Sequence, residues 1–441
     1  MERLSRSTRV TAALQDYETT KAYLCGLKAR GVKLGIDRMR LLAEALGHPE
    51  RAYPCIHVAG TNGKGSVAAM LEAILRAAGW RTGLYTSPHL VRLGERIQVD
   101  RVEMTNAEIV AYARELQGHA DALAATDPEN HPSFFEFMTG AAFLQFARKQ
   151  VDVGLIEVGL GGRFDATNVV EPEVAVITSI GLDHCDMLGD TLAQIAFEKA
   201  GIIKPGRPVV VGRVDSEAMA VIERVAGERG APLHSVEREF GAELAGYPTT
   251  NLEGDYQRWN AATATLVARL MPACWRVTDE VVARGLQQVT WPGRWQRIQV
   301  GATLAILDAT HNPEGARQLD ANLSRFVAES GRKPVVVVGA TGEARAKAVL
   351  AVVAKHAREI HLVVPQQERA VAYDVLARCV PDDFGGLVRR STLREVFPQP
   401  DRCVIGEAGG TVVVTGSIYL LGEVLERLDP AHPIESKLQD F

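Results

Sequence analysis

Residues 55–66 read Cys55-Ile56-His57-Val58-Ala59-Gly60-Thr61-Asn62-Gly63-Lys64-Gly65-Ser66, and Val67-Ala68-Ala69-Met70-Leu71-Glu72-Ala73-Ile74-Leu75-Arg76 follows. A short apolar run passes through a glycine-rich turn into a segment of helical periodicity, which is the pattern of strand, phosphate loop and helix. Glycines let backbone N–H groups turn toward an anion, and the following helix offers its positive end at the same place. Lys64 then reaches a β- or γ-phosphate, and the Ser66 hydroxyl suits Mg²⁺. The strict spacing G-x-x-x-x-G-K-[ST] is not met, because Gly60 stands four residues before Lys64 and Gly65 separates Lys64 from Ser66. An isolated Gly-Lys-Gly-Ser reads equally well as an ordinary turn. The flanking strand and helix favour the phosphate site.

The chain has 441 residues, more than one hydrophobic core usually serves, so two domains are expected. A net charge of -5 weighs against a nucleic-acid partner. The six cysteines form no C-x-x-C pair, which argues against disulfides or structural zinc and fits a reducing cytoplasm. No stretch approaches the ~18 apolar residues of a membrane span, and the N-terminus lacks an apolar signal region. A soluble cytoplasmic protein without a membrane partner is expected.

Residues 11–48 read as two helices, around Thr11-Ala12-Ala13-Leu14 and Arg38–Leu46. Beyond the phosphate loop, strands at Thr82–Ser87, Val151–Val158, Val174–Ile180 and Val209–Val211 alternate with helices such as Thr191–Ile203, as in a parallel sheet covered on both faces. No period is evident over 231–254; helices resume at Asp255–Leu270 and Thr278–Val289. Trp291-Pro292-Gly293-Arg294 breaks the pattern, and a second alternating set follows: strands at Thr303–Leu307, Val335–Gly339, Ile360–Val364 and Thr411–Thr415, helices at Glu314–Glu329, Ala344–Arg358, Glu368–Val380 and Tyr419–Leu428. The expected fold is α/β, with a parallel-sheet ATPase domain carrying the phosphate loop over 1–297 and a smaller Rossmann-like domain over 298–441.

Ligands of open parallel sheets sit at the carboxyl ends of the strands, where Ser87, Glu157, His184 and Lys199 fall. Glu157 ends an apolar strand, where burial is costly unless it binds a metal or is paired, and a rim salt bridge is the competing reading. A lone His184 is more often structural than a ligand, and Mg²⁺ prefers oxygen. Gly159–Asn168 is a flexible loop holding an arginine and a carboxylate.

The ordered set of motifs resembles the folylpolyglutamate synthase/dihydrofolate synthase family, a branch of the Mur-type amide ligases. It runs from Leu34-Gly35-Ile36-Asp37-Arg38 through His57–Ser66, Tyr85–Leu90, Glu95-Arg96-Ile97, Phe134-Phe135-Glu136, Ile156–Asn168, Thr178–His184, Glu198–Ile202, Asn260-Ala261-Ala262, Trp291–Arg294 and Asp308–Pro313 to Thr415-Gly416-Ser417. The resemblance implies that Gly60, Thr61, Asn62, Gly63, Lys64, Gly65 and Ser66 wrap the ATP phosphates, with Asn260, Arg294 and Asp308 also contacting the nucleotide. It implies that Ser87, Glu157 and His184 hold Mg²⁺ with Ser66, and that Lys199 is a carbamate assisting a second Mg²⁺. Lys64, Lys199 and His311 form the implied catalytic set, with His311 and Ser417 near the incoming L-glutamate. Ser133, Phe134, Phe135, Glu136, Phe164, Asp165 and Ala166, with Leu34 and Gly35, fall on the side of dihydropteroate or tetrahydrofolate.

The implied reaction activates the acid as an acyl phosphate and joins it to glutamate, and the chain is expected to act as a monomer. Two departures stand out: Lys33 replaces an aspartate of the pterin-side loop, and Gly339–Arg345 lacks the family's Asp-Lys-Asp. Rival readings are a Mur-type ligase acting on another carboxylate, a metabolite kinase, and a nucleotide-binding regulator without turnover.

Overall fold

The computed structural model describes residues 14–29, 31, 35–407, 409–431 and 434–439. Thr11, Ala12, Ala13, Lys33 and Leu34 lie outside the described residues. The first two helices are Tyr17–Lys28, capped by Asp16, and Asp37–Ala45.

The first sheet has eight strands: β1 (Cys55–Ala59), β2 (Thr82–Tyr85), β3 (Ile97–Val99), β4 (Val102–Glu103), β5 (Val153–Glu157), β6 (Val174–Ile177), β7 (Val209–Val211) and β8 (Leu233–Ser235). Their order is β4-β3-β2-β5-β1-β6-β7-β8. From β2 to β8 the pairing is parallel, whereas β3 and β4 add an antiparallel edge. That edge escapes sequence reading because its strands are three and two residues long, joined at Asp100 and Arg101, which both take positive φ. The unassigned 231–254 stretch holds β8 and a short helix, Val236–Phe240. Two further helices, Asn106–Thr126 and Phe134–Arg148, begin at the capping boxes of Thr105 with Glu108 and Ser133 with Glu136.

β1 lies between β5 and β6; the connection leaving β1 runs toward the β2 edge, and the one leaving β5 passes β1 to β6, toward the opposite edge. A topological switch point of this kind opens a crevice beyond the carboxyl end of the central strand, and the phosphate loop begins there.

The second sheet contains β9 (Gln296–Val300), β10 (Thr303–Asp308), β11 (Val335–Val338), β12 (Glu359–Leu362), β13 (Leu387–Arg390) and β14 (Thr411–Thr415), in the order β13-β12-β11-β14-β10-β9. It is parallel except for β9, which pairs antiparallel with β10. β9 begins at Gln296, so its first two residues precede the 297/298 division drawn from sequence. The helix expected over 368–380 shortens to Tyr373–Arg378, because Ala370 bridges Thr341 and the Val371 N–H donates to Ala340 O at 2.9 Å, holding that stretch extended.

The last helix, Ile418–Leu428, turns the Glu423 side chain inward, where its carboxylate accepts the Gln366 N–H at 2.6 Å. Burial pushes this carboxyl up to about 7, against the Gln366 bond and with Glu426 adding repulsion. The folded state favours the neutral acid, so the contribution is complete below 4.5 and is lost as pH rises through about 7. Glu423→Gln keeps an acceptor and removes the charge. Its melting temperature is expected to exceed the parent's at about pH 8 and to converge with it at about pH 5, measured by thermal denaturation across that range.

Candidate functional site

The loop after β1 is fastened to the end of β6. Thr61 N–H donates to Ser179 O at 2.9 Å, Asn62 N–H donates to Ser179 Oγ at 3.0 Å, and Thr178 Oγ1 donates to Asn62 O at 2.6 Å. Gly63 caps the helix Lys64–Ala77 from the left-handed region, at φ 85°. A Cβ at Gly63 would lie 2.5 Å from Asn260 Oδ1, and one at Gly65 would lie 2.3 Å from Trp291 Cζ2. The unusual glycine between Lys64 and Ser66 therefore makes room for an indole from the stretch leading into the second sheet. Asn260 Nδ2 donates to Gln257 Oε1 at 3.0 Å, and Gln257 Nε2 lies 3.5 Å from Ser66 Oγ. Lys64 Nζ reaches Thr61 O at 3.3 Å.

Two buried ionisable groups flank this loop. Glu157, the last residue of β5, accepts the Ser87 N–H at 3.2 Å. Burial raises its carboxyl to about 7, although Lys64, the Ser87 bond, Arg294 and Arg96 all favour ionisation. At 5% exposure it is not a rim residue. The Ser87 hydroxyl is buried without a partner among the described residues. Lys199 donates to Gly60 O at 2.9 Å, and burial, followed by the charge of Lys64, lowers it to about 7.

Asp183 joins the two sheets. Its carboxylate accepts Asn312 Nδ2 at 3.0 Å and Arg345 Nη2 at 2.6 Å. Burial opposes its ionisation, but His184, His311, Arg345 and Asn312 together hold it well below the usual carboxylate range. His184, at φ 51°, places Nε2 4.0 Å from Asp183, and burial lowers its pKa against that carboxylate. Asn62 and Asn312 exchange amide hydrogen bonds at 3.2 and 3.0 Å, and Asn62 also donates to Glu314 Oε2 at 2.7 Å.

Asp308, ending β10, accepts the N–H groups of Trp295 and Thr310, both at 3.1 Å, fixing the turn beside Arg294; burial raises its carboxyl. His311 Nδ1 donates to Ala309 O at 2.8 Å, and burial pushes the ring down to about 4. Ser417 is buried and caps the last helix, accepting Tyr419 N–H at 3.1 Å.

On the expected pterin side, several residues carry structural duties. Ser133 and Glu136 cap their helix, with Arg38 Nε 3.1 Å from Glu136. Phe134 is buried beneath the Arg96 guanidinium, 5.3 Å from its ring centre. Phe135 stacks on Tyr85 at 6.0 Å and covers Gly159. Asp165 is buried, accepts Leu160 N–H at 2.9 Å and Thr167 N–H at 3.0 Å, and caps the turn that starts at the buried Ala166. Phe164 is exposed, with Arg163 over its ring at 4.3 Å, and Gly35 takes φ 131°.

Sequence reasoning singles out none of Asp183, Asn312, Glu314 and Arg345 as site residues. Asp183 and Asn312 stand inside the quoted motifs, and Arg345 inside the segment noted only for what it lacks. Among the described residues no group of three His, Cys, Asp or Glu side chains is gathered closely enough to hold a metal ion unaided. Mg²⁺ commonly takes one or two protein carboxylates and completes its shell with water and phosphate oxygen.

The Mur ligase middle domain profile matches residues 58–259. The folylpolyglutamate synthase of Lacticaseibacillus casei is 33% identical over 439 residues, covering 94% of this chain and 99% of the relative. The chain belongs to the folylpolyglutamate synthase/dihydrofolate synthase family. Within that family, the dihydrofolate synthase/folylpolyglutamate synthase of Bacillus subtilis is 39% identical over 335 residues, covering 71% of this chain and 77% of the relative. The crystal structure of a Thermotoga maritima folylpolyglutamate synthase matches with a TM-score of 0.81 at 29% identity, over 96% of this chain and 98% of that one. A bifunctional member solved with Mn, AMPPNP and L-glutamate bound matches with a TM-score of 0.79 at 32% identity, over 95% of this chain and 99% of that one.

The contact between Gly65 and Trp291 makes a direct test. Gly65→Ala should destabilise the protein, and the same change in a Trp291→Ala background should cost less, a coupling of about 1–3 kcal/mol in urea unfolding. Additive effects would show that the indole does not dictate the glycine.

Proposed function

We propose that this chain is an ATP-dependent ligase that adds L-glutamate to dihydropteroate and to reduced folates such as tetrahydrofolate, releasing ADP and phosphate. The observation that carries this reading is the convergence at the end of β1. Lys64, Glu157 and Lys199 stand there on the first sheet's side, and Asn312, Glu314 and Arg345 reach it from the second. A phosphate-binding module alone has no use for that second set. The domains are taken as 1–297 and 298–441, and the enzyme as a cytoplasmic monomer.

Residues 60–66 hold the ATP phosphates, with Asn260, Arg294 and Asp308 on the nucleotide. Ser66, Ser87, Glu157 and His184 would hold Mg²⁺. The partnerless Ser87 hydroxyl and a Glu157 carboxylate accepting one N–H have oxygen lone pairs to spare, which fits a hard cation. Mg²⁺ held there, as one or two ions, would supply charge neutralisation for the transferring phosphoryl group. Lys199, lowered to about 7, is partly neutral near neutral pH, the state in which an amine adds CO₂ and releases a proton to become a carbamate. That change supplies anionic oxygens where the free amine supplies a cation.

The acid's carboxylate oxygen attacks the γ-phosphorus while ADP departs, giving an acyl phosphate. Lys64 and Arg294 offset the charge carried by the transferring group. The α-amino nitrogen of glutamate then attacks the acyl carbon and phosphate leaves. His311 is held neutral by burial and commits Nδ1–H to Ala309 O, so Nε2 keeps a lone pair to orient the amine and accept its proton. Ser417 lies on the glutamate side, and Ser133–Glu136, Phe164–Ala166 and Leu34-Gly35 on the pterin side. Contact between the lobes excludes water that would hydrolyse the acyl phosphate.

Purified protein incubated with ATP, Mg²⁺, each acid and a panel of amino acids should yield a glutamyl adduct by mass spectrometry. No adduct with either dihydropteroate or tetrahydrofolate would sink the assignment. Lys64→Ala should lose at least about a hundredfold in kcat with an unchanged fold. Lys199→Ala should lose activity that formate or acetate partly restores; full activity without either would exclude an essential carbamate.

A further inference from the structure

After the last helix of the second lobe, the C-terminal residues run back onto the first. The short turn Ser436–Leu438 seats Leu438 in the same core cluster as Leu24, Leu27 and Phe134, and both Leu438 and Gln439 are 0% exposed. Beneath them lies Arg96, also 0% exposed. A buried guanidinium is costly unless its N–H groups are satisfied, and here the tail's backbone takes Nη2 and His89 takes Nε, while Nη1 has no hydrogen-bond partner among the described residues. Nη2 donates to Leu438 O at 2.8 Å and to Gln439 O at 2.6 Å. Nε donates to His89 Nδ1 at 3.0 Å, which leaves the proton on His89 Nε2, 3.3 Å from Glu435 O.

Glu435 makes the second attachment. Its carboxylate accepts the Leu93 N–H at 2.6 Å and the Tyr17 hydroxyl, and its own N–H donates to Val91 O at 2.8 Å. Lys28 Nζ adds a bond to Lys437 O at 2.6 Å.

These attachments lead to the site in few steps. Arg96 O accepts the Thr86 N–H at 2.9 Å, and the next amide, that of Ser87, donates to Glu157. At the other end, the helix from which the tail departs is the one that Ser417 caps.

We propose that Glu435–Gln439 is a positioning element of the ligase reaction, locking Arg96 and the 86–96 loop so that Ser87 and Glu157 meet beside the phosphate loop. The proposal rests on the ligase reading above. Glu435 and Arg96 act through the loop, and neither touches a reacting atom.

The test uses the full-length protein and the variants Glu435→Ala and Arg96→Lys. With the melting temperature within about 5 °C of the parent, both point variants should still form glutamyl product. Their KM for Mg-ATP should rise about tenfold with kcat nearly retained, since a small misplacement of a binding group costs that much or more. Thr86 and Ser87 amides should exchange hydrogen faster in both variants. An unchanged KM in both point variants would overturn the proposal, as would a fall in kcat at constant KM that merely follows the unfolded fraction. Calorimetric titration with a non-hydrolysable ATP analogue and Mg²⁺ reads the same tenfold loss without turnover. A parent protein that makes no glutamyl product therefore defeats the ligase reading alone, and the affinities of the two variants for the analogue still decide whether the tail positions the site.

Discussion

Lys64 stands between two buried groups and biases both. Its charge favours the carboxylate form of Glu157 and the neutral form of Lys199, while burial pushes each toward neutrality. One cation thus favours an ionised carboxylate at one neighbour and a neutral amine at the other. That arrangement works only in a poorly solvated pocket, where charges a few ångströms apart interact strongly. Its position is set by the loop, which is pinned to the turn after β6 through Thr61 and Asn62.

The second lobe completes this pocket through three attachments of different kinds. The Trp291–Arg294 stretch brings an indole against Gly65 and, through Asp308, fixes the turn beside Arg294. The Asp183 network joins Asn312 and Arg345 to the first sheet with charge-assisted bonds, stronger than neutral ones. The tail adds a backbone attachment on the far side, where Arg96 receives two carbonyls. The first and third are packed or buried. The second is polar and lies at the crevice, where a substrate's own charges can compete for the same partners.

Much of this is legible in the sequence. Glycine spacing announces the phosphate loop, continuous apolar runs announce β5 and β6, and Trp-Pro-Gly-Arg marks the crossing between lobes. What stays hidden is short or non-local. The edge strands β4, β9 and β13, and β3 beside β4, are too brief or too polar for periodicity to register, and β8, the other edge of the first sheet, is lost in a polar stretch. Phe134 and Glu136 are placed at the substrate by resemblance; the structure adds a packing duty for one and a capping duty for the other. Asp183 and Arg345 lie 162 positions apart, and no local pattern relates them. Arg96 stands in the motif Glu95-Arg96-Ile97 without a role of its own until the fold brings the C-terminal carbonyls to it.

The absent Asp-Lys-Asp takes on physical content through the same contacts. Where the family pattern places two acids around a base, this chain has Gly342-Glu343-Ala344-Arg345, and the arginine is committed to Asp183 of the first lobe. A guanidinium presents a planar fork of donors, so one carboxylate does not exhaust it. Asp183 likewise accepts from Asn312 while pairing with Arg345. The crevice consequently holds a fixed cation and a fixed anion side by side. The chain lacks the family's charge pattern at this strand end, yet the charges that face the crevice are of both signs, supplied one from each lobe.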